Sequence, residues 1–488
     1  MNQFIPITGT ALLGAVLALA SGALHAQDDP GTPTLRMPRS WLAQANDSVV
    51  RTGIENPSPS GAGRPKSYAV PALEILGFQG MLNVVDRAFL GSDDYNSSVS
   101  SVRNNLRSRW VVDNDPYKVN QIGHPYAGST YHGIARSAGL SYWEAAGYTF
   151  AGSALWETAG EKTPPSMNDQ ISTGIAGSFV GEALFRMANL VLEQGGGMSP
   201  FWREVAATAI SPSLGFNRNV MGYNSIFSSH GAPYYSRLSV GLSTETQNNA
   251  GPSTKVRPNE AVADFSFDYG MPGKPGYEYT RPFDYFTFRA TTSSANLFEN
   301  VMIRGILKGK AYELGDNYRG LWGFFGSYDY IAPQTYRISS TALSFGTTAQ
   351  AWLTRDVAVQ GTALAGAGYA AVGTLHGAAE GDYHYGVTPQ ALLALRLILG
   401  EKASIDMTGR EYFVTSVGGP TAGHDNIVRA DLAFTWRVRR QHAVSIRYLF
   451  DRRGASYSTL GDRTQSRATI GIFYTMLGHD RFGAVEWR

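Results

Sequence analysis

From Arg237 to the end of the chain the hydrophobic pattern takes a period of two, and this limits the possible folds more than any other feature. In DLAFTWRVR, Leu432, Phe434, Trp436 and Val438 fall on one face and Ala433, Thr435, Arg437 and Arg439 on the other; VSIRYLF and ADFSFDY alternate in the same way. Successive strand side chains point to opposite faces, so these segments are strands with one apolar and one polar side. VMIRGILKGK sets Arg304 and Lys308 among apolar neighbours, which suits a wall between lipid and a polar lumen. Segments of this kind lie near 237–246, 261–270, 284–293, 301–314, 319–331, 337–353, 357–373, 382–400, 403–417, 425–439, 442–454 and 464–477. That is about twelve, an even number as in bacterial barrels.

A soluble β-sandwich is the competing fold. Against it stand the lack of a compact alternation of core and turn, and the aromatics near strand ends: Trp322, Tyr328, Tyr330, Trp352, Tyr412, Phe413, Trp436 and Tyr448. Such residues form girdles at membrane interfaces. With 55 Gly, 26 Tyr, 23 Phe, 9 Trp and only 16% charged residues among 488, the composition fits. The chain closes AVEWR, with Arg488 after Trp487, and residues 481–487 read as a candidate further strand.

The formal net charge of +2 gives no basic face for nucleic acid. Zero cysteines exclude disulfides and thiolate sites. Residues 1–26 read as a cleaved signal peptide, with an apolar core from Ala11 to Ala20 and small Ala23 and Ala26 before Gln27, although its first ten residues carry no Lys or Arg. No later run reaches the ~18 apolar residues of a spanning helix. The expected location is the outer membrane of a Gram-negative bacterium. Residues 27–68, with PGTP and NPSPSGAGRPKS, read as a flexible leader. Residues 69–108 hold an amphipathic helical segment starting near Pro71, 109–193 a helical hairpin, 194–236 a connecting segment and 237–488 the barrel.

The hairpin region carries most of the chain's motifs. Helices are expected over 141–161 and 169–193, separated by KTPPS, with Ser166 and Asp169 as an S-x-x-D capping box. Gly174, Gly177, Ser178 and Gly181 allow a neighbouring backbone to approach closely. An HP-x-x-G-x-x-Y element holds His124, Pro125, Gly128 and Tyr131; a WE-x-x-x-E element holds Trp156, Glu157 and Glu161; a PS-x-ND turn holds Ser166, Asn168 and Asp169. On these three elements the region resembles an uncharacterised bacterial domain family found in presumed outer-membrane proteins, over about a fifth of the chain. The resemblance implies a compartment and an architecture, and no activity.

For acid–base or metal chemistry the candidates are His124, His132, Glu157 and Glu161, with Glu144 and Asp169 nearby. Glu157 and Glu161 at i,i+4 share a helix face, and His with carboxylates suits zinc or another divalent ion. No H-E-x-x-H, G-x-S-x-G, P-loop or EF-hand pattern occurs. The favoured reading is structural: a hairpin lodged in the lumen as a plug, or set beneath it as a periplasmic cap, with its polar groups satisfied by wall residues. Glu182 and Arg186 form a helix ion pair, and Ser166 is a cap and not a nucleophile. Arg304, Lys308, Arg396, Arg437, Arg439 and Arg447 are expected to line the lumen, with Asp264 and Asp268 as salt-bridge partners.

The sequence thus points to a mainly β outer-membrane antiparallel barrel with an N-terminal helical segment and a structural, binding or transport role. The alternative is a membrane-embedded enzyme acting on lipid or another envelope substrate. No cofactor is implied. Outer-membrane lipid, lipopolysaccharide and the barrel-insertion machinery are the expected partners.

Overall fold

The computed structural model describes residues 65–89, 93–113, 115–195, 197–250, 256–373, 383–416, 423–458, 461–478 and 480–486. The expected signal peptide and almost all of the leader lie outside them. Twelve antiparallel strands close into a barrel, each paired with the next and the last with the first. They are β1 Tyr234–Asn248, β2 Asn259–Tyr269, β3 Phe286–Ser293, β4 Asn300–Leu314, β5 Tyr318–Ile331, β6 Arg337–Trp352, β7 Val357–Gly373, β8 Tyr383–Leu399, β9 Ala403–Thr415, β10 Gly423–Arg439, β11 His442–Tyr457 and β12 Gly461–Leu477. Each coincides with one segment of the two-residue alternation.

Residues 481–486 add no strand. Asp480–Gly483 make a 3-10 turn that folds back into the short-turn end of the barrel, where Phe482 is buried among Tyr235, Met271, Ile398 and Leu477. The Val485 carbonyl accepts from Trp352 Nε1 at 2.9 Å and from Gln350 Nε2.

Ion pairs between non-adjacent strands identify the lumen face. Arg237 on β1 reaches Asp406 on β9 at 2.8 Å, Arg289 on β3 reaches Asp431 on β10 at 2.9 Å, and Arg410 on β9 reaches Asp329 on β5 at 3.1 Å. Arg304, Arg396, Arg447, Asp264 and Asp268 belong to the same lumen network. Lys308 does not. A bulge between Ile306 and Lys308 puts Lys308 opposite Phe324, on the outward face, where it is exposed. Arg439 follows a second bulge at the end of β10 and is exposed as well. Arg437 stacks over the Phe482 ring at 5.1 Å.

The opposite parity faces outward. On β10, β11 and β12 it is an exposed apolar belt, including Leu432, Phe434, Trp436, Ile446, Tyr448, Ile472 and Tyr474. On β2 to β5 the same face is buried: Phe265, Phe267, Tyr269, Phe286, Phe288, Ile303, Tyr328 and Tyr330 pack in one core with helical residues. Tyr383 and Tyr385 of β8 join them. The helices therefore lie against the outer wall, so the expectation of a plug in the lumen, or a cap beneath it, is corrected. Burying each such aromatic is favourable by about 1.5–3 kcal/mol.

The helical module comprises α1 Ala69–Phe89, α2 Val99–Asn105, α3 His124–Ser137, α4 Tyr142–Leu155, α5 Gly177–Gln194, α6 Pro200–Ile210 and α7 Pro212–Asn219. The last two lie in the segment read as a connector, and α3 was not expected from its Gly- and Ser-rich sequence. Three π-type stretches punctuate the module: Val119–Gly123, Trp156–Gly160 and Gln170–Ala176. The run Met167–Gln194 is long and apolar enough to cross a membrane, but 89% of its apolar window is buried between the other helices and the barrel wall. Helices α3 and α5 cross in close contact, since a Cβ on Gly177 would fall 2.6 Å from the Gly128 Cα.

Candidate functional site

Two polar centres occupy the module, and the expected site residues divide between them. The first is built where three chain segments meet. His124 follows the π turn Val119–Gly123 and opens α3, with Pro125 in the first turn. Glu157 sits inside the π turn that ends α4, and Asp169 precedes the π stretch that leads into α5. Ligand atoms of these three residues lie within 4.8 Å of one another.

Their partners are specific. His124 Nδ1 lies 3.1 Å from the Thr173 hydroxyl, and Nε2 lies 3.6 Å from Asp169 Oδ2. The Ser166 amide donates to Glu157 Oε2 at 2.8 Å. Ser166 Oγ accepts from the Asp169 amide at 3.3 Å, so Ser166 is the expected cap. The return half of the box is missing because Glu157 takes the Ser166 amide, which leaves the Asp169 carboxyl to the cluster. Asn168 Nδ2 donates to Asp113 Oδ1 at 2.8 Å, to Asp169 Oδ1 at 3.2 Å and to the Tyr385 hydroxyl at 2.8 Å. Asn120 Nδ2 donates to Asp113 Oδ1 at 2.7 Å and to the Tyr383 hydroxyl at 2.9 Å. Two tyrosines on the outer face of β8 thereby complete the site.

Glu161 borders this centre without entering it. It ends the π turn in an extended conformation, accepting from Trp156 Nε1 at 2.7 Å and Thr163 Oγ1 at 3.2 Å; the shared helix face expected for Glu157 and Glu161 is lost there. Burial, with Glu161 adding to it, pushes the Glu157 carboxyl up to about 8, and burial pushes Glu161 up to about 7. Burial pushes the His124 imidazole down to about 4 and, with Asp113, raises Asp169 well above the carboxylate range. Among the described residues no Lys or Arg forms an ion pair with Asp113, Glu157 or Asp169.

His132 belongs to the second centre, on the other half of α3. Its Nε2 lies 3.1 Å from Glu182, which also accepts from Arg136 Nε and Arg186 Nε, each at 2.7 Å. Arg186 continues to Asp284 at 3.0 Å and to the Pro282 carbonyl at 2.7 Å. The expected Glu182–Arg186 pair is therefore present, but as part of a fully buried five-residue network that ties α3 and α5 to the segment joining β2 and β3. Burial alone would raise the Glu182 carboxyl; Arg136 and Arg186 outweigh it and hold the group well below its usual range. Fully compensated charge of this kind is structural. Tyr131 accepts from Gln79 Nε2 at 3.1 Å and packs edge-on to Phe78, which places it in the helical core. Glu144 caps α4 with Ser141 and pairs with Lys66 at 2.7 Å.

Sequence reasoning missed Asp113, Asn120, Thr173 and Tyr385. The DND run at 113–115, nine residues ahead of His124, was an available signal for the first. Nothing local marks Tyr385, which lies 217 residues from Asn168.

Residues 109–213 match a domain of unknown function, DUF3943, and the match holds the helical residues of both polar centres, while Tyr383, Tyr385 and Asp284 lie outside it. No curated protein matches the chain. Among solved structures, the chain is similar to the NanC porin at 10% identity and a TM-score of 0.26, covering 49% of this chain and 98% of that one. It is similar to the KdgM porin at 7% identity and a TM-score of 0.21, covering 49% and 98%. The outer membrane channel DcaP of Acinetobacter baumannii gives 8% identity and a TM-score of 0.23, covering 51% and 99%.

Proposed function

We propose that the protein is an outer-membrane β-barrel, exported through a cleaved signal peptide, whose role is structural or binding: the barrel anchors the helical module and does not conduct freely. The observation that carries this reading is the cross-lumen bracing, in which Arg237–Asp406, Arg289–Asp431 and Arg410–Asp329 join opposite walls. Charges neutralised across the bore leave no continuous strip of one sign to draw ions through. The exposed apolar belt on β10 to β12 supports a lipid-facing wall, where lipid and lipopolysaccharide are the expected partners; the barrel-insertion machinery is the partner expected during assembly. The test is planar-bilayer conductance of the full chain, after a heat-modifiable shift in gel mobility has verified the folded barrel. Little or no conductance is expected, and a large stable open channel would overturn the reading.

One observation favours a second reading, an enzyme acting on lipid or another envelope substrate. His124, Glu157 and Asp169 form a polar centre whose carboxyls have no ion-pair partner among the described Lys and Arg residues, in contrast to the sealed Glu182 network. Under this reading Glu157→Ala changes envelope lipid composition while the barrel still folds. Identical lipid profiles in the deletion strain and its parent would sink it.

A further inference from the structure

We propose that His124, Glu157 and Asp169 form a binding site for a single first-row divalent cation, with zinc as the best-matched ion. This assignment is independent of what the barrel does, and three features carry it.

The first is the donor set. One imidazole and two carboxylates, all within 4.8 Å, match the nitrogen and oxygen ligands of zinc and related ions. With no cysteine in the chain, softer ions lack their preferred ligand. Glu157 and Asp169 are each 2% exposed or less, and the His124 side chain, 12% exposed, is the one of the three that reaches the module's surface.

The second is the orientation of the imidazole. His124 Nδ1 lies 3.1 Å from Thr173 Oγ1, and in the tautomer whose Nδ1–H donates to that hydroxyl, Nε2 turns a lone pair towards Asp169 Oδ2 at 3.6 Å. Two electron-rich atoms facing each other in a buried place repel unless a proton or a cation lies between them. A ligating histidine normally has its other nitrogen fixed by such a hydrogen bond, and Thr173 fills that role. Asn168 and the Ser166 amide, which hold Asp169 and Glu157, do the same for the carboxylates. The Glu182 centre shows the contrast: the same module places two arginines and a histidine around its other buried carboxylate. No Lys or Arg is supplied to Glu157 or Asp169 among the described residues, and His124 is the one basic side chain beside them.

The third is the backbone. Each of the three residues adjoins or lies within one of the module's π-type stretches. A π turn is a costly interruption of an α-helix and is found frequently at functional sites. All three described here converge on one cluster, and none adjoins Glu182, Arg186 or His132.

The experiment uses the full chain, purified in detergent and stripped with a chelator, and titrates zinc by calorimetry and cobalt by visible absorbance. The expected result is one zinc per chain, and cobalt bands whose position shifts in His124→Gln. Glu157→Gln and Asp169→Asn each weaken zinc binding at least tenfold, while Glu144→Gln, at the exposed cap, binds as the parent does. Heat-modifiable mobility verifies that each variant is folded. The proposal is overturned if the folded parent takes up no zinc, or if the triple variant His124→Gln, Glu157→Gln, Asp169→Asn binds it as tightly as the parent; in either case the cluster holds protons in place of a metal.

Discussion

Arg186 Nη1 lies 3.0 Å from Asp284 Oδ1, and through this bond helix α5 is fastened to the barrel at the connection between β2 and β3. Both side chains are about 1% exposed. Removing one partner of a buried pair strands the other charge, at a cost of about 3–5 kcal/mol. Asp284→Ala is therefore expected to loosen the module while the barrel persists. Limited proteolysis should release fragments of 69–219 from the variant while the heat-modifiable barrel band is retained; unchanged protease resistance would show that the apolar contacts alone hold the module.

The lumen bracing makes a separate prediction. Asp406 accepts from both Arg237 and Arg396, and Arg396 also reaches Asp268, so Asp406→Ala strands Arg237 and leaves one uncompensated positive charge in the bore. Conductance is expected to rise and to become anion-selective. Bilayer recordings with asymmetric chloride would detect this, and an unaltered current would remove the bracing as the reason for closure.

Helix contact is testable at Gly177, where a Cβ would fall 2.6 Å from the Gly128 Cα and 2.8 Å from its carbonyl carbon. Backbone atoms cannot yield as a side-chain tip can. Gly177→Leu is expected to destabilise the module by about 3 kcal/mol or more, read as a shift in the urea midpoint of the module's unfolding. Gly147→Leu is its control, because nothing lies within 4 Å of a Cβ there.

Stability should fall on both sides of a middle pH range. Burial lowers His132 below its ordinary value of 6.5, so its contribution is complete above about 6.5 and is lost as the pH falls below it. Glu161 has the opposite sign: raised to about 7 from 4.5, it contributes fully below 4.5, and that contribution is lost as the pH rises through 7. The apo-protein's Tm, measured across pH 4 to 9, should peak between these limits, and Glu161→Gln should flatten the alkaline side. A profile identical to the parent's would show that Glu161 ionises without penalty.

What the sequence determined by itself was local. Side-chain parity along a strand follows from covalent geometry, so the alternation was sufficient to locate all twelve strands and to assign Arg304, Arg396 and Arg447 to the lumen. Ser166 was equally legible, because a cap involves residues three apart. Lys308 escaped because one bulge reverses the parity of everything beyond it.

Only the tertiary structure decided what each face meets. Trp322 is exposed on the outer wall while Tyr328 and Tyr330, at the same parity on β5, lie under helices; Tyr412, read as a girdle residue, points into the lumen and donates to Asp329 at 2.9 Å. His124 and His132 sit eight residues apart on α3, about 12 Å along its axis, and only the docking of Asp169 beside one and Glu182 beside the other separates an open centre from a sealed one. Burial and pairing depend on which distant surfaces meet, and no periodicity within a single segment contains that information.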